Sequence, residues 1–306
     1  MPQPTLRQLL FFKTLSRTKN FSRAASQCGV SQPSLSGGIT ALEKILNCRL
    51  FDRSTRAVSI TPTGAKLLPI AEANLSRWEF GLANLVNAAK GEPMIIHIAA
   101  ITSMTSEILP AAVTLFRKNN PGIDISISDG RGPEVQNDVV SGRCDLGICL
   151  APVEHENLEG YRFASDSLSV VCRKTHPLAK KTELCWAEIF EHSMISFASP
   201  SWISRNIQSV FEQHSVPYKP ISTVRYEASL IGMLRDGEYF TILPSILAQV
   251  GVSENFRIIP LREPTVERQY ILIRQRQEIY DPLQNDFFDF LVGTLTKLSR
   301  ERGGAA

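Results

Sequence analysis

The segment Phe21-Ser-Arg-Ala-Ala-Ser-Gln-Cys-Gly-Val-Ser-Gln-Pro-Ser-Leu-Ser36 decides how the start of this 306-residue chain folds. Its pair of alanines permits close packing of a short helix, and Gly29 suits the left-handed backbone conformation that ends a helix. Ser31 can cap the helix that follows. Pro33 is tolerated in the first turn of that helix, because its missing N–H would be unpaired there anyway. The segment therefore predicts two helices joined by a tight glycine turn.

The residues on both sides of this segment extend the pattern. Upstream, apolar residues recur every third position and predict a first helix with one buried face: Leu6, Leu9, Phe12 and Leu15. Downstream, a similar apolar face runs along the third helix: Leu35, Ile39, Leu42 and Ile45. Two short extended pieces then flank a basic turn, and Thr61 caps a further helix. This order is typical of a winged helix-turn-helix, whose third helix enters the major groove of DNA.

Polar residues cluster where such a third helix and its wing would meet DNA. The start of the helix offers small side chains for base edges and phosphates. The wing offers two arginines for the DNA backbone or the minor groove. The predicted DNA-binding residues are Ser22, Ser31, Gln32, Pro33, Ser34, Ser36, Arg53, Arg56 and Thr61.

Five fragments, in one order and spacing, resemble the DNA-binding domain of LysR-type transcriptional regulators: Phe21 to Ala25, Val30 to Ser36, Leu42-Glu43, Leu50 to Arg53 and Thr61 to Gly64. The chain departs from this family at Gly37 and Gly38, where larger residues are usual. A glycine inside a helix costs roughly 1 kcal/mol relative to alanine, so we expect alanine at either position to stabilise the domain. The two glycines also remove side chains that could contact DNA.

A long helix is predicted over residues 62–91, after a DNA-binding domain over residues 1–61. Its apolar residues alternate at spacings of three and four, as in a seam between two helices. The seam residues are Leu68, Ala71, Leu75, Trp78, Leu82 and Leu85, continued by Ala89. The family resemblance implies pairing with the same helix of a second subunit, giving a homodimer and then a homotetramer. The alternative is a helix packed on its own domain. We expect Pro69 to kink or interrupt the start of this helix.

Residues 92–306 alternate between strands and helices, beginning with the apolar strand Met94 to Ile101. Their order resembles the effector domain of LysR-type regulators, which is similar to periplasmic solute-binding proteins. The resemblance implies an α/β domain of two lobes joined by two crossings. The first lobe would contain residues 93–163 and 265–306, and the second residues 164–264.

Small ligands of open α/β sheets bind beyond the carboxyl ends of strands, against helix N-termini. Residues at such points are the predicted effector-binding residues: Thr102, Ser103, Arg131, Ser199 and Ser201. Because helix N-termini favour negative charge, the expected effector is an anion. Each hydroxyl could equally be an ordinary helix cap, and Arg131 a solvated loop charge.

The composition constrains the remaining function classes. The net charge is only +3, so the charge alone does not indicate a nucleic acid partner. The six cysteines form no C-x-x-C pair and the histidines do not cluster beside them, so neither a bound metal nor a cofactor is expected. The sequence contains no apolar run long enough to cross a membrane and no signal peptide pattern, which predicts a cytoplasmic protein. The motifs of common enzymes are absent, so no catalytic residues are expected.

The sequence thus predicts a regulator that binds duplex DNA, a small-molecule effector and itself, with RNA polymerase as a further candidate partner. Two alternatives stay open at this point. The same kind of regulator could be switched by oxidation of a cysteine, or the C-terminal fold could serve a small-molecule-binding protein or an enzyme.

Overall fold

A computed structural model describes residues 3–53, 58–106, 108–198, 201–249, 255–277 and 279–301. Its buried apolar residues form three separate cores, one in the N-terminal domain and one in each lobe of the C-terminal domain. The predicted fold class, a winged helix-turn-helix followed by a long helix and a two-lobed α/β domain, is confirmed.

The N-terminal domain contains α1 (Leu6–Thr18), α2 (Phe21–Gln27), α3 (Gln32–Leu46) and the hairpin of β1 (Phe51–Arg53) and β2 (Val58–Ile60). The side chain of Asn20 caps α2 and that of Ser31 caps α3, as the polar residues at these positions allow. Gly29 has a positive φ of 65° in the turn between them. The predicted helix-turn-helix is therefore confirmed, with its third helix buried along one face.

The two glycines of α3 lie in different surroundings, and the expectation that both would accept alanine is wrong. A Cβ atom at Gly37 would have nothing within 4 Å, whereas one at Gly38 would lie 2.6 Å from Cδ2 of Phe11. Phe11 is buried in the domain core, so its ring cannot easily give way. Gly38 thus permits the close approach of α1 and α3, and faces the domain interior.

The long helix α4 (Pro62–Lys90) runs without a break through Pro69, so the expected interruption does not occur. Thr61 caps it, and Gly91 ends it in the left-handed conformation. Within the described ranges, no helix is both long and apolar enough to span a membrane.

The first lobe is built on three parallel strands, β3 (Met94–Ile101), β4 (Ile123–Gly130) and β5 (Leu146–Leu150). Helices on its faces are α5 (Thr102–Thr105), α6 (Ile108–Asn119) and α7 (Gly132–Val140). The long strand β6 (Leu158–Arg173) then passes from this lobe into the second one.

The second lobe contains β7 (Leu184–Cys185), β8 (Ile195–Phe197), α8 (Trp202–Gln213), β9 (Ser222–Val224), α9 (Glu227–Asp236), β10 (Phe240–Pro244), α10 (Ser245–Ala248) and β11 (Phe256–Arg262). The chain returns to the first lobe through β12 (Glu267–Gln275) and ends in α11 (Pro282–Glu301). The main sheet has the strand order β4-β3-β5-β12-β6-β11-β7, with β10 paired to β6. β6 and β12 therefore lie side by side where the two lobes meet.

Within β6, the sequence pattern predicted a strand only near Leu168–Cys172, in its second part, and it did not predict β11. The part of β6 before Leu168 is rich in polar residues and contains Asp166, a residue type with low strand propensity. β11 contains Pro260 and the two arginines Arg257 and Arg262, yet pairs with β6. Tertiary pairing across the sheet, rather than local propensity, specifies both strands.

Candidate DNA-binding surface and inter-lobe site

The predicted DNA-contacting residues of α2 and α3 form one exposed surface. Ser22 on α2 donates a hydrogen bond to Oε1 of Gln32 on α3, at 2.9 Å. Pro33 and Ser34 are exposed beside them, and Ser36 is half-buried one turn further along. Since the opposite face of α3 lies in the domain core, this face is free to contact a partner.

The wing is held against the end of α3 by Glu43, whose Oε1 accepts a hydrogen bond from the backbone N–H of Leu50 at 2.9 Å. Arg53 ends β1 and is paired with Val58 of β2, whereas Arg56 lies outside the described residues. Thr61 is not part of the exposed surface. It is buried, and its hydroxyl donates to the carbonyl of Arg49 and accepts from the N–H of Gly64 as a helix cap.

The predicted seam of α4 divides into two parts. Ala71 and Leu75 are buried within this chain, and Leu68 and Ala71 pack with the core of the N-terminal domain. Trp78, Leu82 and Leu85 are instead 48%, 42% and 68% exposed. The first part thus follows the alternative reading, a helix packed on its own domain, while the second part remains free for another helix.

The face of α4 opposite this exposed seam contacts the first lobe. Asn84 completes the backbone pairing of Ile95 in β3: its amide donates to the carbonyl at 3.0 Å and accepts from the N–H at 2.8 Å. Phe80 stacks on His97, with ring centroids 4.3 Å apart. These residues lie about 120–160° around the helix from Trp78 and Leu82, because successive residues turn by about 100°.

Two opposite charges, Arg77 on α4 and Asp145 before β5, attract each other near the same contact. Burial raises the pKa of Asp145 and lowers that of Arg77, and the attraction between the two charges opposes both shifts. The Asp145 carboxylate also accepts hydrogen bonds from the N–H of His97 at 2.8 Å and from Gln284 at 2.6 Å. Asp145 thus ties β3 to α11 within the first lobe, and α4 is attached to this lobe by Asn84 and Phe80.

At the junction of the lobes lies a cluster of polar residues shielded from solvent. Asp166 on β6 and Arg268 on β12 are directly paired across the two strands, with a distance of 2.7 Å between Oδ1 and Nε. Oδ2 of Asp166 accepts further hydrogen bonds from the Tyr270 hydroxyl at 3.1 Å and from the N–H of Ile246, at the start of α10. Both members of the ion pair are at most 5% exposed. A buried pair of this kind needs such additional hydrogen bonds.

Two other polar groups adjoin this cluster. Ser103 is 5% exposed, and its Oγ lies beside the Tyr270 hydroxyl without a hydrogen bond of normal geometry. Glu227, the first residue of α9, lies in the field of Arg268, and its buried Oε1 has no hydrogen-bond partner among the described residues. Burial raises the pKa of Glu227 to about 7, against the attraction of Arg268. Polar atoms left unpaired in this way are costly, and often mark a place where a ligand binds.

Of the predicted effector residues, Ser103 belongs to this cluster, and the others are not among its hydrogen-bonded members. Thr102 is exposed next to Ser103. Ser201 caps α8, with its hydroxyl hydrogen-bonded to Ser204 at 2.9 Å. Arg131 is exposed and forms an ion pair with Glu134 on the next turn. Ser199 lies outside the described residues.

Comparison with known proteins identifies the domains. Residues 6–65 match the family described as bacterial regulatory helix-turn-helix protein, lysR family, and residues 89–296 match the LysR substrate binding domain. The chain belongs to the LysR family of transcriptional regulators. Among its relatives, the uncharacterized regulator YbhD of Escherichia coli (strain K12) is 26% identical over 285 residues, which cover 93% of this chain and 90% of YbhD. AlsR of Bacillus subtilis (strain 168) is 25% identical over 242 residues, covering 78% of this chain and 80% of AlsR.

Solved structures of other LysR-type regulators share the fold. A full-length OxyR variant from Pseudomonas aeruginosa has a TM-score of 0.65 at 19% identity, over 96% of this chain and 95% of that one. An OxyR mutant from Corynebacterium glutamicum, solved with hydrogen peroxide bound, has a TM-score of 0.59 at 21% identity, over 98% and 94%. CbnR in complex with its target DNA has a TM-score of 0.55 at 18% identity, over 95% and 99%.

The buried cysteines of this LysR-type regulator are protonated thiols. Burial raises the pKa of Cys144 and Cys149 to about 12, and that of Cys172 to about 11. Since the thiolate is the form that reacts with oxidants, these three residues are inert as buried. The remaining cysteines are half-buried: Cys28, Cys48 and Cys185.

Sequence patterns missed most of the inter-lobe cluster. Asp166, Glu227, Arg268 and Tyr270 are far apart in the chain, and no local motif connects them. One signal was available in β12. Arg268 lies just before the apolar stretch Tyr270 to Ile273, and a charge at that position requires a partner once the strand is buried.

Proposed function

We propose that this LysR-family protein is a sequence-specific regulator whose DNA binding is modulated by a small organic effector held between the two lobes. The observation that carries the effector site is the shielded cluster around Asp166 and Arg268, with the unpaired hydroxyl of Ser103 at its edge. Because the cluster is closed, the lobes must separate to admit a ligand. An effector that binds one arrangement of the lobes better than another shifts the population between them.

The exposed face of α3 is proposed to contact base edges in the major groove, and the wing to contact phosphates through Arg53. Arg53→Ala should weaken DNA binding and reduce the slope of log affinity against log salt by about one unit, because one fewer counterion is released. The measurement is fluorescence anisotropy of labelled operator DNA at several salt concentrations. Unchanged affinity together with an unchanged slope would remove Arg53 from the contact.

The exposed seam of α4 is proposed to form a homodimer, which assembles further to the tetramer expected from the family. Trp78→Lys with Leu82→Lys should place charges in this apolar contact and dissociate it. Leu75→Lys is unsuitable as a test, because Leu75 is buried within its own chain. Analytical ultracentrifugation should show smaller particles for the double variant, and unaltered assembly would place the main contact elsewhere.

The contact between α4 and the first lobe offers a route from the effector to the DNA. Asn84 and Phe80 attach the helix to β3, and its opposite face is the proposed dimer contact. A change in the orientation of the lobe would therefore reach the paired helices and the spacing of the two α3 helices on DNA. RNA polymerase bound at the same promoter is a further proposed partner.

Three finer expectations accompany this proposal. That the effector is an anion remains a prediction from helix N-termini. A switch by cysteine oxidation has the structural likeness to OxyR in its favour, but the raised pKa values of three cysteines against it. A small-molecule-binding protein without a DNA-binding role, or an enzyme, is disfavoured, because the relatives named above are transcriptional regulators.

The test is a footprint on the DNA upstream of the gene that encodes the protein, repeated with a panel of metabolites under reducing and oxidising conditions. We expect a protected region whose length or position changes with one class of metabolite. Absence of any protected region would overturn the regulator proposal. A response to oxidant alone would replace the metabolite by a cysteine switch.

A further inference from the structure

The chemistry of the inter-lobe cluster narrows the class of effector, if the proposed function is correct. Two polar groups in the cluster lack partners, one from each lobe: Oγ of Ser103 and Oε1 of Glu227. They are connected through two residues, because Ser103 adjoins Tyr270 and Glu227 adjoins Arg268, and Arg268 hydrogen-bonds the Tyr270 hydroxyl. A single ligand inserted at this junction can therefore meet both.

Two arginines that could attract an anionic effector, Arg268 and Arg131, are already matched by carboxylates of the chain. Arg268 donates two hydrogen bonds to Asp166, which also accepts the N–H of Ile246 at the start of α10. Arg131 pairs with Glu134 in the same way, at the start of α7. Arg268 also attracts Glu227, but its hydrogen bonds go to Asp166, so the carboxyl of Glu227 has no ion pair of its own among the described residues.

We infer that the effector carries a protonated amino group, which pairs with the carboxylate of Glu227 and lies near the ring of Trp202. The Arg268 guanidinium already lies 6.0 Å from the centroid of that ring, so the ring accommodates a cation at this junction. The hydroxyl of Ser103 then contacts a second polar group of the same ligand. A carboxylate elsewhere in the effector is compatible with this arrangement. Such an effector would carry both the expected negative group and the amino group in one molecule.

An effector with a carboxylate alone fits the cluster less well. It would lie beside the carboxyls of Asp166 and Glu227, while Arg268 is already paired with Asp166, and each unpaired charge in a buried site is costly. It would bind only if Glu227 were protonated and donated a hydrogen bond to it. The two classes of ligand therefore demand opposite ionisation states of one side chain.

The pH dependence of binding distinguishes these two states. Burial raises the pKa of Glu227 to about 7, and the charged groups around it are Arg268 and, through Arg268, Asp166. Tyr270 remains neutral, because burial raises its pKa as well. An amine binds the ionised form, so its affinity rises as the pH increases from 6 to 8. A carboxylate binds the protonated form, so its affinity falls over the same interval.

The experiment uses the full-length protein and matched probes with one carbon skeleton: butylamine, 4-aminobutyrate, butanol and butyrate, followed by a library of equal numbers of amines, neutral compounds and acids. Thermal unfolding identifies the binders, and calorimetry at pH 6 and 8 gives their affinities. The native protein is compared with Glu227→Gln and with Glu212→Gln, an exposed residue of α8. Ser103→Ala provides a second variant of the cluster.

We expect amines to bind the native protein and Glu212→Gln more tightly at pH 8, and Glu227→Gln about tenfold or more weakly. Binding confined to acids, equal binding of amines to Glu227→Gln, or no binding of any amine would overturn the inference. If acids change the DNA footprint while amines do not, the regulator proposal stands and the amine inference alone fails. If no compound changes the footprint, the regulator proposal fails with it.

Discussion

The DNA-binding domain and the inter-lobe cluster use polar side chains in opposite ways. In the first, the polar residues lie within one short segment, from Ser22 to Ser36, and most of them are exposed. In the second, Asp166 and Arg268 are 102 positions apart in the chain and almost completely shielded from water. The DNA-binding surface is formed by local structure, and the inter-lobe cluster by the packing of two lobes.

This difference determines whether a substitution alters ligand binding alone or also the stability of the fold. A solvent-exposed serine contributes little to the folded state, so its replacement changes DNA binding and little else. A buried ion pair at a ligand site affects both binding and stability, because removing one partner leaves the other charge without compensation. Substitutions in the two regions should therefore differ in their effect on unfolding before any ligand is added.

The largest expected effect is that of Asp166→Ala. It leaves the Arg268 guanidinium buried without its carboxylate and should lower the free energy of unfolding of the C-terminal domain by about 3–5 kcal/mol. Urea unfolding followed by tryptophan fluorescence measures this change. Ser34→Ala, at the DNA-binding surface, is the matched control and should unfold like the native protein.

A double variant sharpens the same comparison. Asp166→Leu with Arg268→Met replaces the pair by apolar side chains and should recover much of the lost stability. If Asp166→Ala unfolds like the native protein, the cluster is not closed as described.

The next effect lies inside the DNA-binding domain, where two adjacent glycines differ. Gly38→Ala should destabilise the domain by about 1–3 kcal/mol, because the new methyl group meets the buried ring of Phe11. Gly37→Ala should stabilise it by about 1 kcal/mol, since its Cβ points into open space. Thermal unfolding of the two variants gives the signs. Stabilisation by both would show that α1 moves away from α3 without cost.

The smallest effect is a pH dependence of stability at Glu227. The folded protein keeps a proton on this carboxyl up to a pH of about 7, whereas the unfolded chain releases it near the ordinary value of 4.5. The free energy of unfolding should therefore fall as the pH rises between these values and then level off. Because the side chain keeps partial solvent contact, the drop is on the order of 1 kcal/mol. Glu227→Gln should lack it, and equal pH profiles of the two proteins would contradict the burial of this group.

Local patterns predicted the helix-turn-helix because caps, a glycine turn and apolar periodicity all lie within a few residues of one another. They also placed Ser103 correctly at the end of a buried strand. They could not reveal Gly38 against Phe11, or Asp166 against Arg268, because these contacts depend on how distant elements pack. The same limit explains α4, where one periodic seam proved to be half core and half exposed surface. Sequence spacing shows that a face is apolar, but not which partner covers it.

The most direct test of the account is whether the inter-lobe cluster couples an effector to DNA binding. Fluorescence anisotropy of operator DNA would be measured with and without the effector found by footprinting, for the native protein, for Ser103→Leu and for Ser209→Leu on the exposed face of α8. We predict that Ser103→Leu binds DNA normally without effector and no longer responds to it, while Ser209→Leu responds like the native protein. A Ser103→Leu variant that keeps the native effector affinity and response would show that the effector binds elsewhere.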